Sequence, residues 1–207
     1  MEFQYKGLTA TLEHITVTEE EVDRQLRRLD GQDTSEYTPE ELRALVRESL
    51  KAHYEQQAEE ELLDCLIRQA AETLDYTPSE EEITKGAQMQ LQVLQAQLAQ
   101  RDLTLEAYCS FMGTDKETIL EDLRLDAAQL LRIQAATERI AELENIQAEE
   151  ADIREACQVI CRQNQLSAEE LEALYDEEFA DAVARSVVSA KVLTFIRNAA
   201  IIKEITA

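Results

Sequence analysis

The chain has 207 residues, 44% of them apolar, with four glycines, two prolines and no tryptophan. Twenty Lys and Arg stand against 44 Asp and Glu, a formal charge of −24. That is the wrong sign for binding nucleic-acid phosphates or an anionic membrane surface, and no run approaches the roughly 20 apolar residues of a membrane span.

The first element reads as extended. From Tyr5 to Ile15, Leu8, Ala10 and Leu12 alternate against Thr9, Thr11 and Glu13, the period of a half-buried strand. A lone strand cannot satisfy its own backbone, so this one must lie against another part of the molecule.

Everything after Thr18 reads as helix, and scarce Gly and Pro agree. The capping-box pattern, Ser or Thr followed three residues later by Glu, marks starts at Thr18/Glu21, Thr38/Glu41, Thr77/Glu80, Thr114/Glu117 and Ser167/Glu170. Pro39 and Pro78 follow two of these caps, where the first helical position tolerates proline. Helices are expected over 19–29, 39–74, 79–100, 104–112, 115–145, 149–164, 168–174 and 177–199. The tail AIIKEI alternates weakly and is compatible with extended chain.

The 39–74 helix has apolar residues at both ends but only Ala52, Tyr54 and Ala58 in its middle, KAHYEQQAEEE. It would be roughly 50 Å long, against a radius of gyration of about 17 Å for a compact body of this size. QMQLQVLQAQLAQ places a thin stripe (Met89, Leu91, Leu94, Leu98) on a glutamine-rich surface. The last helix has a broad apolar face, including Phe179, Val183, Val188, Val192 and Ile196, and belongs in the core. The expected fold is all-α: an elongated multi-helix body with protruding arms, plus one short N-terminal strand.

Signals for chemistry are missing. There is no Gly-rich phosphate loop, and His14 and His53 lie in unrelated elements without a nucleophile or carboxylate at a recognisable spacing. Cys157 and Cys161 stand four apart on a helix, where β-carbons about 5–6 Å apart are too distant for a disulfide. No further His or Cys stands nearby to complete a zinc site. The runs at Glu19–Glu21, Glu59–Glu61 and Glu80–Glu82 fan out over different helix faces and cannot converge on one ion. Neither an enzyme, a metal nor a cofactor is expected. The N-terminus lacks a signal-peptide pattern, so all four cysteines are expected reduced in the cytoplasm.

In this helix order the chain resembles trigger factor, the bacterial chaperone of nascent chains, and in particular its C-terminal domain. YKGLTATLEHITVTEEEVDRQLRRL resembles the family's connector strand and helix. TPEELRALVRESLKAHYEQQAEEELLDCLIRQ resembles the long first helix of that domain, and LDYTPSEEEITKG through ENIQAEEADI follows its arm region in order. SVVSAKVLTFIRNAAIIKEI resembles its closing segment. No one of these segments is specific alone; the resemblance lies in four of them in the right order.

The resemblance implies residues 1–30 as linker strand and helix, a polar loop at 31–38 where the family inserts its peptidyl-prolyl isomerase domain, and a helical domain over 39–207. No counterpart of the ribosome-binding domain stands in the chain, so isomerase activity and ribosome docking are not expected of it. The implied function is to shield unfolded or nascent polypeptide in a helical cradle. Met89, Leu94, Leu98, Leu105, Tyr108, Phe111, Met112, Leu166, Leu171 and Tyr175 are the candidate lining. A different reading of LxxYxxFM (Leu105, Tyr108, Phe111, Met112) makes it the small local core of an arm tip. The alternative function is a scaffold that holds one dedicated partner, or itself as a homodimer.

Overall fold

The computed structural model describes residues 2–29, 36–167, 169–171 and 176–206. Among them lie strand β1 (Thr9–His14), helices α1 (Glu19–Arg28), α2 (Pro39–Thr73), α3 (Glu80–Ala99), α4 (Leu105–Met112), α5 (Lys116–Glu144), α6 (Glu150–Asn164) and α7 (Glu177–Ala199), and strand β2 (Ile201–Thr206). The all-α class holds, with one addition: the N-terminal strand is not alone. The chain divides into two compact units, Met1–Tyr5 with Ile67–Thr194, and Lys6–Leu66 with Phe195–Ala207.

In the second of these units β1 pairs in parallel with β2, Thr9 opposite Ile201 and His14 opposite Thr206. Gly7 (φ +68°) adopts a left-handed turn that favours glycine, and its N–H donates to the Ala199 carbonyl at 2.9 Å. The Ile201 N–H then donates to Leu8 at 2.7 Å, opening the ladder. Leu8, Ala10 and Leu12 are buried while Thr9, Thr11 and Glu13 are exposed, so β1 keeps the alternation its sequence shows.

Thr18 caps α1 in a full capping box with Glu21, and Val22 is completely buried. The polar middle of α2 is tied by side chains rather than left bare. Tyr54 donates its hydroxyl to Glu21 at 2.7 Å, and Arg197 of α7 holds both carboxylate oxygens of Glu59. At 35 residues α2 is about 52 Å long.

The other unit holds α3 to α6, the end of α2 and most of α7. Its extended N-terminal segment is pinned where Gln4 N–H donates to Thr73 Oγ1 at 2.9 Å and Tyr5 Oη donates to Glu144 at 2.7 Å. Ile67, Ala70, Ala71, Ala136, Ile140, Val183 and Val192 are buried in this unit.

Two expected caps move. The cap of α3 is Ser79, in a box with Glu82, rather than Thr77. The two patterns overlap in the sequence, and the later one goes with burial of Pro78. The cap of α5 is Asp115 rather than Thr114. Thr114 is still engaged in closing α4, its N–H donating to Cys109 at 3.0 Å. Between them Gly113 (φ +67°) takes the left-handed conformation that ends α4. At Ser167 the expected box with Glu170 forms.

Candidate binding surface

The candidate residues lie mainly on α3 and α4. Along α3, Ala87, Leu91, Leu94 and Leu98 recur at helical spacing and turn inward; Ala87 and Leu98 are buried and the other two half-buried. Met89 and Val93 are offset from that stripe by two residues, about 200° around the helix. They are 60% and 57% exposed. The apparent single stripe of the sequence is therefore two faces, one packed and one open.

The same division runs through α4. Leu105 and Cys109, one turn apart, join Leu98 in a buried cluster, with Leu91, Leu94, Tyr108 and Ile119 packed around it. Thr104 caps this helix by accepting the Ala107 N–H, which fixes the direction in which Leu105 enters the cluster. Phe111, at 87% exposure, and Met112, at 56%, stand outside it, as does Leu103 in the preceding loop.

Ile119 near the start of α5 packs against the cluster that Leu98 joins at the end of α3, and Gly86 near the start of α3 meets Ala127 farther along α5. The two helices are thus antiparallel, with α4 across their tip. The tip has its own complete core, and Phe111, Met112, Met89 and Val93 take no part in it. Leu166 and Leu171 are half-buried beyond α6. Tyr175 lies outside the described residues.

A second apolar surface escaped sequence reasoning. Between α5 and α7 runs an open groove of about 930 Å³, with Leu130, Ile133, Ile146, Ala184 and Val188 among its walls. Asp181 and Arg185, also in its lining, belong as well to a hollow formed with Asp176, Glu177 and Glu178. The groove is thus apolar along its length and acidic where it meets that hollow. Lys191 of α7 reaches the start of α6, donating to the Gln147 carbonyl at 3.0 Å and pairing with Asp152. The only sequence signal was that the apolar face of α7 is wider than one contact needs; Val188 was expected in the core and instead lines a wall.

The surroundings are ionised. Glu82 and Glu170 are held below the usual carboxylate range by hydrogen bonds from the capping Ser79 and Ser167, Asp115 by Thr118, and Asp152 first by Lys191 and then by the Glu149 N–H. Among the described residues no three His, Cys, Asp or Glu converge as a metal site. No buried side-chain nitrogen or oxygen there lacks a hydrogen-bond partner, and no helix is long and apolar enough to cross a membrane. No disulfide joins Cys65, Cys109, Cys157 or Cys161. What this surface can do is cover apolar side chains within a hydrated acidic frame.

Comparison with known proteins identifies the frame. The family model for the C-terminus of bacterial trigger factor matches residues 38–198. The chain belongs to the trigger factor family. Trigger factor 1 of Desulfitobacterium hafniense is 30% identical over 168 residues, 80% of this chain and 39% of the relative. Trigger factor of Caldicellulosiruptor saccharolyticus is 29% identical over 189 residues, 88% of this chain and 43% of the relative. That of a Geobacillus species is 28% identical over 137 residues, 66% of this chain and 32% of the relative. The chain spans about two fifths of the length of the first two relatives. The family model lies on the helices that carry the tip and the groove, and it stops before β2.

Proposed function

We propose that this trigger-factor-type chain is a non-enzymatic chaperone module of the cytoplasm, binding and shielding unfolded or nascent polypeptide. The observation that carries the reading is the division of α3 and α4 into a closed core and an exposed apolar face. Large side chains such as Phe111 and Met112 stay in water although the tip core is complete without them. Clustered exposed apolar groups of this kind mark interaction surfaces. Unbranched methionine and a freely standing phenylalanine can adapt to many client shapes. The net charge of −24 keeps such a surface from associating with its own copies. At the α5–α7 groove, carboxylates beside an apolar wall favour segments in which Lys or Arg flanks aliphatic residues.

The test is aggregation of two unrelated denatured proteins, diluted with and without stoichiometric amounts of the chain and followed by light scattering. Suppression of both is expected. It should weaken in Phe111→Ser/Met112→Ser at unchanged helix content, and weaken further at high salt for basic clients. No suppression of either client by the folded parent overturns the reading.

A further inference from the structure

Apart from Met1, the chain has two methionines, Met89 on α3 and Met112 at the end of α4, and both are exposed, at 60% and 56%. Each has an open apolar neighbour: Val93, one turn along α3 from Met89, at 57%, and Phe111, next to Met112, at 87%. Resting on the proposed function, we infer that Met89 and Met112 are an oxidation switch for the client surface, with hydrogen peroxide as the oxidant. Each thioether sulfur attacks one peroxide oxygen with a lone pair. The O–O bond breaks, an S–O bond forms, the sulfur is oxidised by two electrons to the sulfoxide, and the peroxide is reduced to water.

Three features make these residues suited to that role. Both sulfurs are reachable without any opening of the fold, and peroxide, being neutral, is not repelled by a strongly negative protein. A sulfoxide is polar and accepts hydrogen bonds, so it replaces an adaptable apolar contact with a hydrated one. Finally, the buried cluster of Leu98, Leu105 and Cys109 contains neither methionine, so oxidation changes the surface and leaves the packing intact. Cys109 and Cys157 are buried, Cys161 is half-buried, and the exposed Cys65 lies on α2. Thiol oxidation is told apart because a dithiol reductant reverses disulfides and sulfenic acids and leaves sulfoxides untouched.

The test treats the whole chain with hydrogen peroxide until peptide mass spectrometry finds Met89 and Met112 both oxidised, with Met1 followed separately, and then with dithiothreitol. Met89 and Met112 are each expected to gain one oxygen at rates close to that of free N-acetylmethionine. Helix content should stay constant, while binding of a fluorescent hydrophobic dye and suppression of client aggregation fall several-fold. Methionine sulfoxide reductases of both stereospecificities should restore them. In Met89→Leu/Met112→Leu, each activity is compared with the same variant before treatment, and the ratio should stay near one. Slow oxidation of either residue, or a doubly oxidised chain that binds dye and client as before, overturns the switch. So does a leucine variant that loses as much as the parent. An untreated chain that suppresses no aggregation overturns the chaperone reading instead, and the oxidation rates and dye binding then still judge the switch.

Discussion

Gly86 of α3 and Ala127 of α5 approach so closely that a β-carbon added at residue 86 would stand 3.1 Å from the Ala127 β-carbon. With Ala87 and Ala127 both buried, small residues set the spacing of the two helices here, and Arg124 fastens the same level by donating to Thr84 at 2.9 Å. Gly86→Val overfills this crossing and is expected to destabilise the unit by about 1–3 kcal/mol. Adding Ala127→Gly should return part of the loss, since contacting residues couple. Urea unfolding of the two singles and the double measures both; additive effects would show that the helices do not meet there.

Leu105 and Phe111 lie on one short helix and should behave oppositely. Leu105 is 6% exposed within the tip cluster, whereas Phe111 is 87% exposed. Leu105→Ala is expected to cost about 2–5 kcal/mol, as large-to-small core changes do. Phe111→Ser should stay within about 0.5 kcal/mol, as surface changes do. Hydrogen exchange across α4 reads the result directly, and equal protection loss in the two variants would refute the division into core and open face.

Glu21 carries a marked acid signature. Its carboxylate accepts the Thr18 N–H and Thr18 hydroxyl at 2.8 Å each and the Tyr54 hydroxyl at 2.7 Å. These bonds, the Thr18 backbone first, then Tyr54, then the Thr18 hydroxyl, hold it down to about 2 from the usual 4.5. A carboxylate with a depressed folded value stabilises above its unfolded value and loses that contribution as pH falls toward the folded one. The stability gap between the parent and Glu21→Gln is therefore expected to be full at neutral pH, to shrink below about 4.5 and to vanish near 2. The Glu21 carboxyl carbon, followed by NMR, should titrate near the lower value; a midpoint at 4.5 would rule out the bonded arrangement in solution.

Gln165 ends α6 with φ +54°, a left-handed conformation that costs a residue with a β-carbon about 1–2 kcal/mol. Its side chain is exposed, so replacement sacrifices no packing. Gln165→Gly is expected to raise stability by up to about 1 kcal/mol, the relief of strain exceeding the added chain entropy. A lower melting temperature would show that the turn is held by contacts of the glutamine.

The positions of the helices were legible in the sequence because their causes are local. The expected 39–74 and 177–199 helices appear as Pro39–Thr73 and Glu177–Ala199; a cap and a first turn lie within four residues of one another. Even the failures were local ambiguities. Ser79 displaces Thr77 where two capping patterns overlap, and Asp115 displaces Thr114 because Thr114 is still bonded to Cys109. The all-α class and the resemblance to trigger factor rest on that same order of local signals.

Tertiary structure alone decided what those helices do with their apolar residues. Thr9 pairs with Ile201 across nearly the whole chain, and no local pattern can name a partner so distant. Met89 and Leu91 look alike in sequence, yet the approach of α5 to one side of α3 buries one face and leaves the other in water. The groove between α5 and α7 exists only because two helices far apart in sequence come near without closing. Periodicity tells that a residue is apolar and which neighbours share its face; whether that face meets protein or solvent depends on where the other helices stop.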